Sequence, residues 1–122
     1  MRRFLLCVLA GGLLGTAVAA PAAEPEPVAP SPQRRDRLVR MVRQDCGSCH
    51  GMRLTGGLGP PLTAAAMAPL PLASLQAVIV HGRPGTPMPG WRAMLDEDEA
   101  RWIAWWLQRG FPEEQGGRHA AP

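Results

Sequence analysis

Cys46-Gly47-Ser48-Cys49-His50 decides how this chain is read. Two thiols spaced i and i+3, with a histidine directly after the second, are the attachment pattern for c-type haem. Each thiol can add across one haem vinyl group, giving two thioether bonds. His50 then lies under the iron and offers an imidazole nitrogen as proximal ligand. A bare Cys-x-x-Cys would also suit half a zinc site or a redox dithiol. Zinc needs about four ligands, yet the third cysteine, Cys7, lies in a segment that reads as removable, and His81 and His119 are isolated. A redox dithiol belongs beside a βαβ unit, and no strand pattern appears here.

The 122 residues suffice for one small domain. Hydrophobic residues make up 46%, too many for a disordered polymer, but aromatics are scarce and tyrosine is absent. Such a chain buries a modest core, and a haem would add the missing apolar mass. The formal charge of +3 includes Arg2 and Arg3; without them 11 basic and 10 acidic side chains remain. Two haem propionates would make the balance slightly negative, so the basic pI does not argue for nucleic acid.

Met1-Arg2-Arg3, the apolar run Phe4 to Leu14 and Ala17-Val18-Ala19 read as a secretory signal peptide over 1–19. Cleavage is expected after Ala19, because cutting after Ala20 would set Pro21 beside the scissile bond. The competing reading, an uncleaved anchor, has an apolar run short of the ~20 residues a span prefers. Export suits thioether assembly and implies a bacterial periplasm. Residues 20–33, rich in Pro and Ala, read as an extended linker.

From Arg34 to Cys46 the chain reads as a first helix. Leu38, Met41 and Val42 form its inner stripe, while Arg37, Arg40, Arg43 and Gln44 fall opposite. Those arginines read as a solvated face or as a docking patch for an acidic partner. Gly51 to Thr63 is too rich in Gly and Pro for a helix. The Pro60 carbonyl there can accept from the proximal imidazole, fixing its ring and basicity. A short turn over Ala64 to Pro69 and a helix over Pro71 to Val80 follow.

Gly82-Arg83-Pro84-Gly85-Thr86-Pro87-Met88-Pro89-Gly90-Trp91 excludes regular structure. Met88, held between two prolines, is the expected distal iron ligand. A thioether opposite His raises the reduction potential and closes the iron to other ligands. Met67 is the second choice, and His81 would give bis-His ligation. Met41 and Met94 suit core packing; Met52 is too close to His50 to reach the other face. Arg83 or the Trp91 N–H could bind a propionate, or Trp91 could simply pack. The last helix spans Asp96 to Arg109, with Asp96 and Glu99 as N-terminal cap. Trp102, Trp105 and Trp106 should meet the first helix and haem. Residues 111–122 read as a flexible tail in which His119 is not a ligand.

From Arg34 to Gly110 this layout resembles the class I cytochrome c family. Cys46, Cys49 and His50 match its attachment motif, Pro60 the proximal-side proline and Met88 the distal ligand. The resemblance implies an all-α fold, a cytochrome domain over 34–110 wrapped around one covalent haem c, and no catalysis of its own. Cys46 to Gly51, Gly56 to Pro60 and His81 to Trp91 look more closely like the small periplasmic cytochromes of the dissimilatory nitrite reductase (denitrification) gene cluster. That branch implies a monomeric one-electron carrier donating to the haem-c/haem-d1 nitrite reductase, through a brief contact below about 1,200 Å². It equally admits an assembly role in d1 haem insertion. A ligand-binding haem protein would follow if Met88 does not coordinate.

Overall fold

The computed structural model describes residues 24–114. The predicted signal peptide, Cys7 and His119 lie outside the described residues. Within them the chain is helical, with no strand. Helix α1 runs Pro32–Met41, a π-helical turn follows over Val42–Cys46, and α2 covers Gly47–His50. Then come α3 (Ala64–Met67), α4 (Leu72–His81) and α5 (Glu97–Leu107).

Local chemistry explains the boundaries. Ser31 caps α1, its hydroxyl accepting from the Arg34 N–H, and Pro32 stands in the first turn, where a missing N–H costs nothing. This start lies two residues ahead of the predicted one. Pro71 precedes α4 directly. Asp96 caps α5 in a full capping box: its carboxylate accepts from the Glu99 N–H at 2.8 Å, and Glu99 accepts from the Asp96 N–H at 3.2 Å. Arg34 reaches from α1 to the same carboxylate and also donates to the Met94 carbonyl at 2.9 Å. One guanidinium thus ties the starts of α1 and α5 together.

Leu38 and Val39 of α1 and Val42 of the π-helical turn join Trp102, Ile103 and Leu107 of α5 in the core, with Leu54, Met67, Leu95 and Phe111. Ala100 and Ala104 of α5 are fully buried, small enough to let α4 come close. Trp102 meets Phe111 edge-on, with centroids 6.1 Å apart.

Three readings need correction. Arg43 does not lie on the solvated face; it is buried. In the π-helical turn, each carbonyl bonds one residue further along than in an α-helix. Val39 and Arg43, spaced i and i+4, share a buried side next to Leu38 and Val42, so the inner face is wider than the stripe of Leu38, Met41 and Val42. Met94 is not a core residue; its side chain is 53% exposed and only its carbonyl is used. Nor does the packed unit end at Gly110: Phe111 lies in the core, and its carbonyl and that of Pro112 accept from Arg43.

Candidate haem-binding site

The π-helical turn ends at Cys46, so the motif leaves it as the short helix α2. Cys46 is half-buried, Cys49 exposed, and neither is in a disulfide. Burial, with the Asp45 carboxylate adding to it, pushes the Cys46 thiol up to about 11. At neutral pH it is an uncharged thiol, the form that joins an apolar group without stranding a charge. Ser48 donates to the Asp45 carbonyl at 2.6 Å, bracing the turn between the two sulfurs.

The His50 side chain is buried, and its Nδ1 lies 2.7 Å from the Pro60 carbonyl oxygen. A carbonyl only accepts, so this contact puts the imidazole proton on Nδ1 and leaves Nε2 with its lone pair. The ring is thereby held in one orientation, with Nε2 outside this contact. The loop that supplies Pro60 is pinned to the motif itself: Gly56 donates to the His50 carbonyl and Gly59 to the Cys49 carbonyl, both at 2.8 Å. Gly59 lies flat on the imidazole, where a Cβ would come within 2.7 Å of His50 Cε1. Leu54, buried at φ 60, is the one described non-glycine residue with positive φ. Its carbonyl accepts from Leu62, closing the loop. Sequence reasoning missed this Leu54 anchor, because nothing in composition marks a leucine for left-handed backbone.

Met88 sits in the loop between Gly82 and Gly90. Gly82 has φ 72, and a Cβ on it would meet the Gly90 N at 2.6 Å and the Met88 carbonyl at 2.7 Å. The loop is thus pinched at its base by bare backbone. Trp91 donates to Ile79 at 2.9 Å, Arg83 donates to Met88 at 3.2 Å, and the Thr86 hydroxyl bonds the Arg83 carbonyl at 2.7 Å. Met88 is the one half-buried side chain from 83 to 90, all its loop neighbours being exposed. Met67, the second choice, is built into the core, and His81 is exposed at the end of α4.

One observation bears on whether a haem suits these residues. The donor set is right in kind: two free thiols, a buried imidazole with one ring nitrogen outside the Pro60 contact, and a thioether. Among the described residues no group of three or more His, Cys, Asp or Glu is placed to hold a metal ion.

Several known proteins are similar to this chain. The family model described as cytochrome c oxidase, cbb3-type, subunit III matches residues 33–107. Cytochrome c55X of Paracoccus denitrificans is 56% identical over 106 residues, covering 87% of this chain and 92% of that protein. A solved structure of the c-type cytochrome NirC superposes with a TM-score of 0.65 at 49% identity, covering 66% of this chain and 95% of that one. Dihydro-haem d1 dehydrogenase of Pseudomonas aeruginosa is 38% identical over 74 residues, which cover 61% of this chain but 15% of that protein.

Proposed function

The chain belongs to the class I cytochrome c family, beside the cytochromes c55X, and from that premise we propose that it is a periplasmic monohaem one-electron carrier. In this reading Cys46 and Cys49 hold one haem c through thioethers, and His50 and Met88 are its axial ligands. When bound, the haem supplies a one-electron ferric–ferrous couple. The observation that carries the reading is the 2.7 Å contact from His50 Nδ1 to the Pro60 carbonyl. It sets the orientation of a buried ring and leaves its other nitrogen outside the contact.

The remaining roles follow from the same geometry. Pro60 holds the imidazole still and raises its basicity. Gly59 covers the ring and keeps water from its edge. The pinched loop of Met88 limits how far that side chain can move between oxidation states, which keeps reorganisation small. The electron acceptor in this reading is the haem-c/haem-d1 nitrite reductase. Met52 and the 94% exposed Leu58 follow the motif directly, offering a small apolar contact suited to a brief encounter. Export through a signal peptide cut after Ala19 completes the proposal; no helix among the described residues is long and apolar enough to cross a membrane.

Near-infrared absorption of the ferric protein tests the ligand set. A weak sulfur-to-iron band should be present, vanish in Met88→Ala and persist in Met67→Ala. Its persistence in Met88→Ala would reject Met88 as ligand. Pigment lost to acidified acetone would reject covalent attachment. For the partner, reduced protein mixed with oxidised nitrite reductase should reoxidise within seconds.

A second reading, an assembly role in d1 haem insertion, is favoured by the likeness to part of a dihydro-haem d1 dehydrogenase. It predicts stoichiometric binding of free d1 haem and a nitrite reductase lacking that haem when this protein is deleted. The carrier reading predicts neither.

A further inference from the structure

Arg43 and His50 are the only polar or charged residues fully inside the described protein. His50 has a role in the site; Arg43 has none so far. A guanidinium stays protonated in a protein, so this is a permanent cation in a place where an apolar side chain of similar volume would avoid the cost of desolvating a charge. Its partners are all in the C-terminal segment. Nε donates to the Pro112 carbonyl at 2.9 Å, and Nη2 donates to the Phe111 carbonyl at 2.5 Å. The Phe111 ring centroid lies 5.9 Å from the guanidinium carbon.

These contacts satisfy the donors without neutralising the charge. The one counter-charge is Glu113, whose carboxylate oxygen is 3.1 Å from Nη2. The two ends of that pair sit in different dielectrics: 7% of the Arg43 side chain is exposed, against 84% for Glu113. Water screens the carboxylate far more than the guanidinium. A positive potential therefore persists inside the molecule, in the π-helical turn that ends at Cys46.

We propose that Arg43 is a residue that sets the reduction potential of the haem, with Glu113 as its moderator. The inference rests on the haem reading above. An oxidised site carries one more positive charge than a reduced one, so a fixed interior cation nearby disfavours the oxidised form and raises the potential. Glu113, from the solvent side, offsets part of that effect. The C-terminal segment, past the last helix, is thereby part of the redox machinery.

The experiment is a spectroelectrochemical titration of the full haem-loaded chain at low ionic strength, for wild type, Arg43→Gln, Arg43→Lys and Glu113→Gln. Arg43→Gln is expected to lower the ferrous-to-ferric ratio at fixed poise about threefold, a drop of about 28 mV at 59 mV per tenfold. Arg43→Lys, which keeps the charge, is expected to recover most of the drop. Glu113→Gln is expected to raise the ratio about 1.5-fold, and added salt should shrink that rise. Opposite signs mark a charge effect, since loosened packing moves both variants the same way. Shifts of the same sign, or no shift in either, overturn the proposal. Should Arg43→Gln fail to accumulate with haem, the exposed Glu113→Gln decides alone, and no rise there overturns it. A wild type lacking any one-electron couple would overturn the cytochrome reading instead.

Discussion

Gly59 shows how little room the proximal side leaves. Its missing side chain is what lets the loop backbone lie on the imidazole, since a Cβ would stand 2.7 Å from His50 Cε1 and 2.8 Å from Nδ1. Gly59→Ala must therefore move either the ring or the loop, costing about 1–3 kcal/mol by overpacking. The same movement breaks the bond to Pro60, so the ferric spectrum should gain a high-spin component as the imidazole tilts. Gly110→Ala is the control. Gly110 has φ 94 with open space around it and lies outside both site loops, so alanine there costs about 1–2 kcal/mol in backbone strain and leaves the spectrum unchanged. Equal spectra for both variants would mean that the close approach does not hold the ring. At this scale the sequence was readable where chemistry is carried by residue type and spacing, as at Cys46, Cys49, His50 and the Pro60 carbonyl. It was unreadable at Leu54, whose left-handed backbone is imposed by the bonds around it, and at Gly59, which looked like one glycine among several in a Gly- and Pro-rich loop.

Helix α5 owes its start to a small polar network. Asp96 and Glu99 form the capping box, and Arg34 reaches across from α1 to Glu99. The hydrogen bond from Arg34 is the main cause holding the Glu99 carboxyl below its usual value, against the opposing effect of burial. A depressed folded value means that the folded protein releases this proton more readily than the unfolded chain. The stabilisation is thus complete above the ordinary carboxylate value of about 4.3 and fades as pH falls through the lowered one. Asp96→Ala should cost about 1 kcal/mol, a fall of roughly 4–8 °C in Tm. Glu99→Gln should cost about 1–2 kcal/mol at neutral pH and converge on wild type as the pH drops below about 4. Urea unfolding at pH 7 and pH 3 measures both; a gap between Glu99→Gln and wild type that is equal at the two values would remove the ion pair from the account. The cap was legible from Asp96-Glu97-Asp98-Glu99 alone, because capping is local. The π-helical turn was not, because a 3.6-residue period was projected straight through it. Arg43 was misplaced because its charge read as solvent-facing, although its i, i+4 spacing from Val39 sets both on the buried side, and with it went the anchoring of Phe111.

Across the whole molecule, two long irregular stretches serve the proposed site, 51–63 through the Pro60 carbonyl and 82–95 through Met88, while the helices supply most of the core. The loops are held by scattered backbone bonds, among them Leu62 N–H to the Leu54 carbonyl at 2.8 Å and Trp91 N–H to the Ile79 carbonyl at 2.9 Å. Few bulky apolar side chains from these stretches reach the core; Leu54 and Leu95 are its fully buried members there. Ordering a loop residue costs about 1–2 kcal/mol of backbone entropy, which two leucines and a handful of exposed hydrogen bonds do not offset. In a small domain a bound prosthetic group can supply that difference, adding to stability as any ligand of the folded state does. A Cys46→Ser, Cys49→Ser chain, exported but unable to attach haem, should therefore lose its single cooperative thermal transition while keeping part of its far-ultraviolet helix signal. Amide hydrogen exchange locates the loss: the Leu62 and Trp91 N–H groups should exchange at least 100-fold faster without haem, each tenfold being about 1.4 kcal/mol. The Ile103 N–H, deep in α5, should retain more protection than either. If Leu62 and Trp91 stay as protected as in the loaded protein, the polypeptide alone holds its loops, and the haem is a passenger in the fold rather than part of its core.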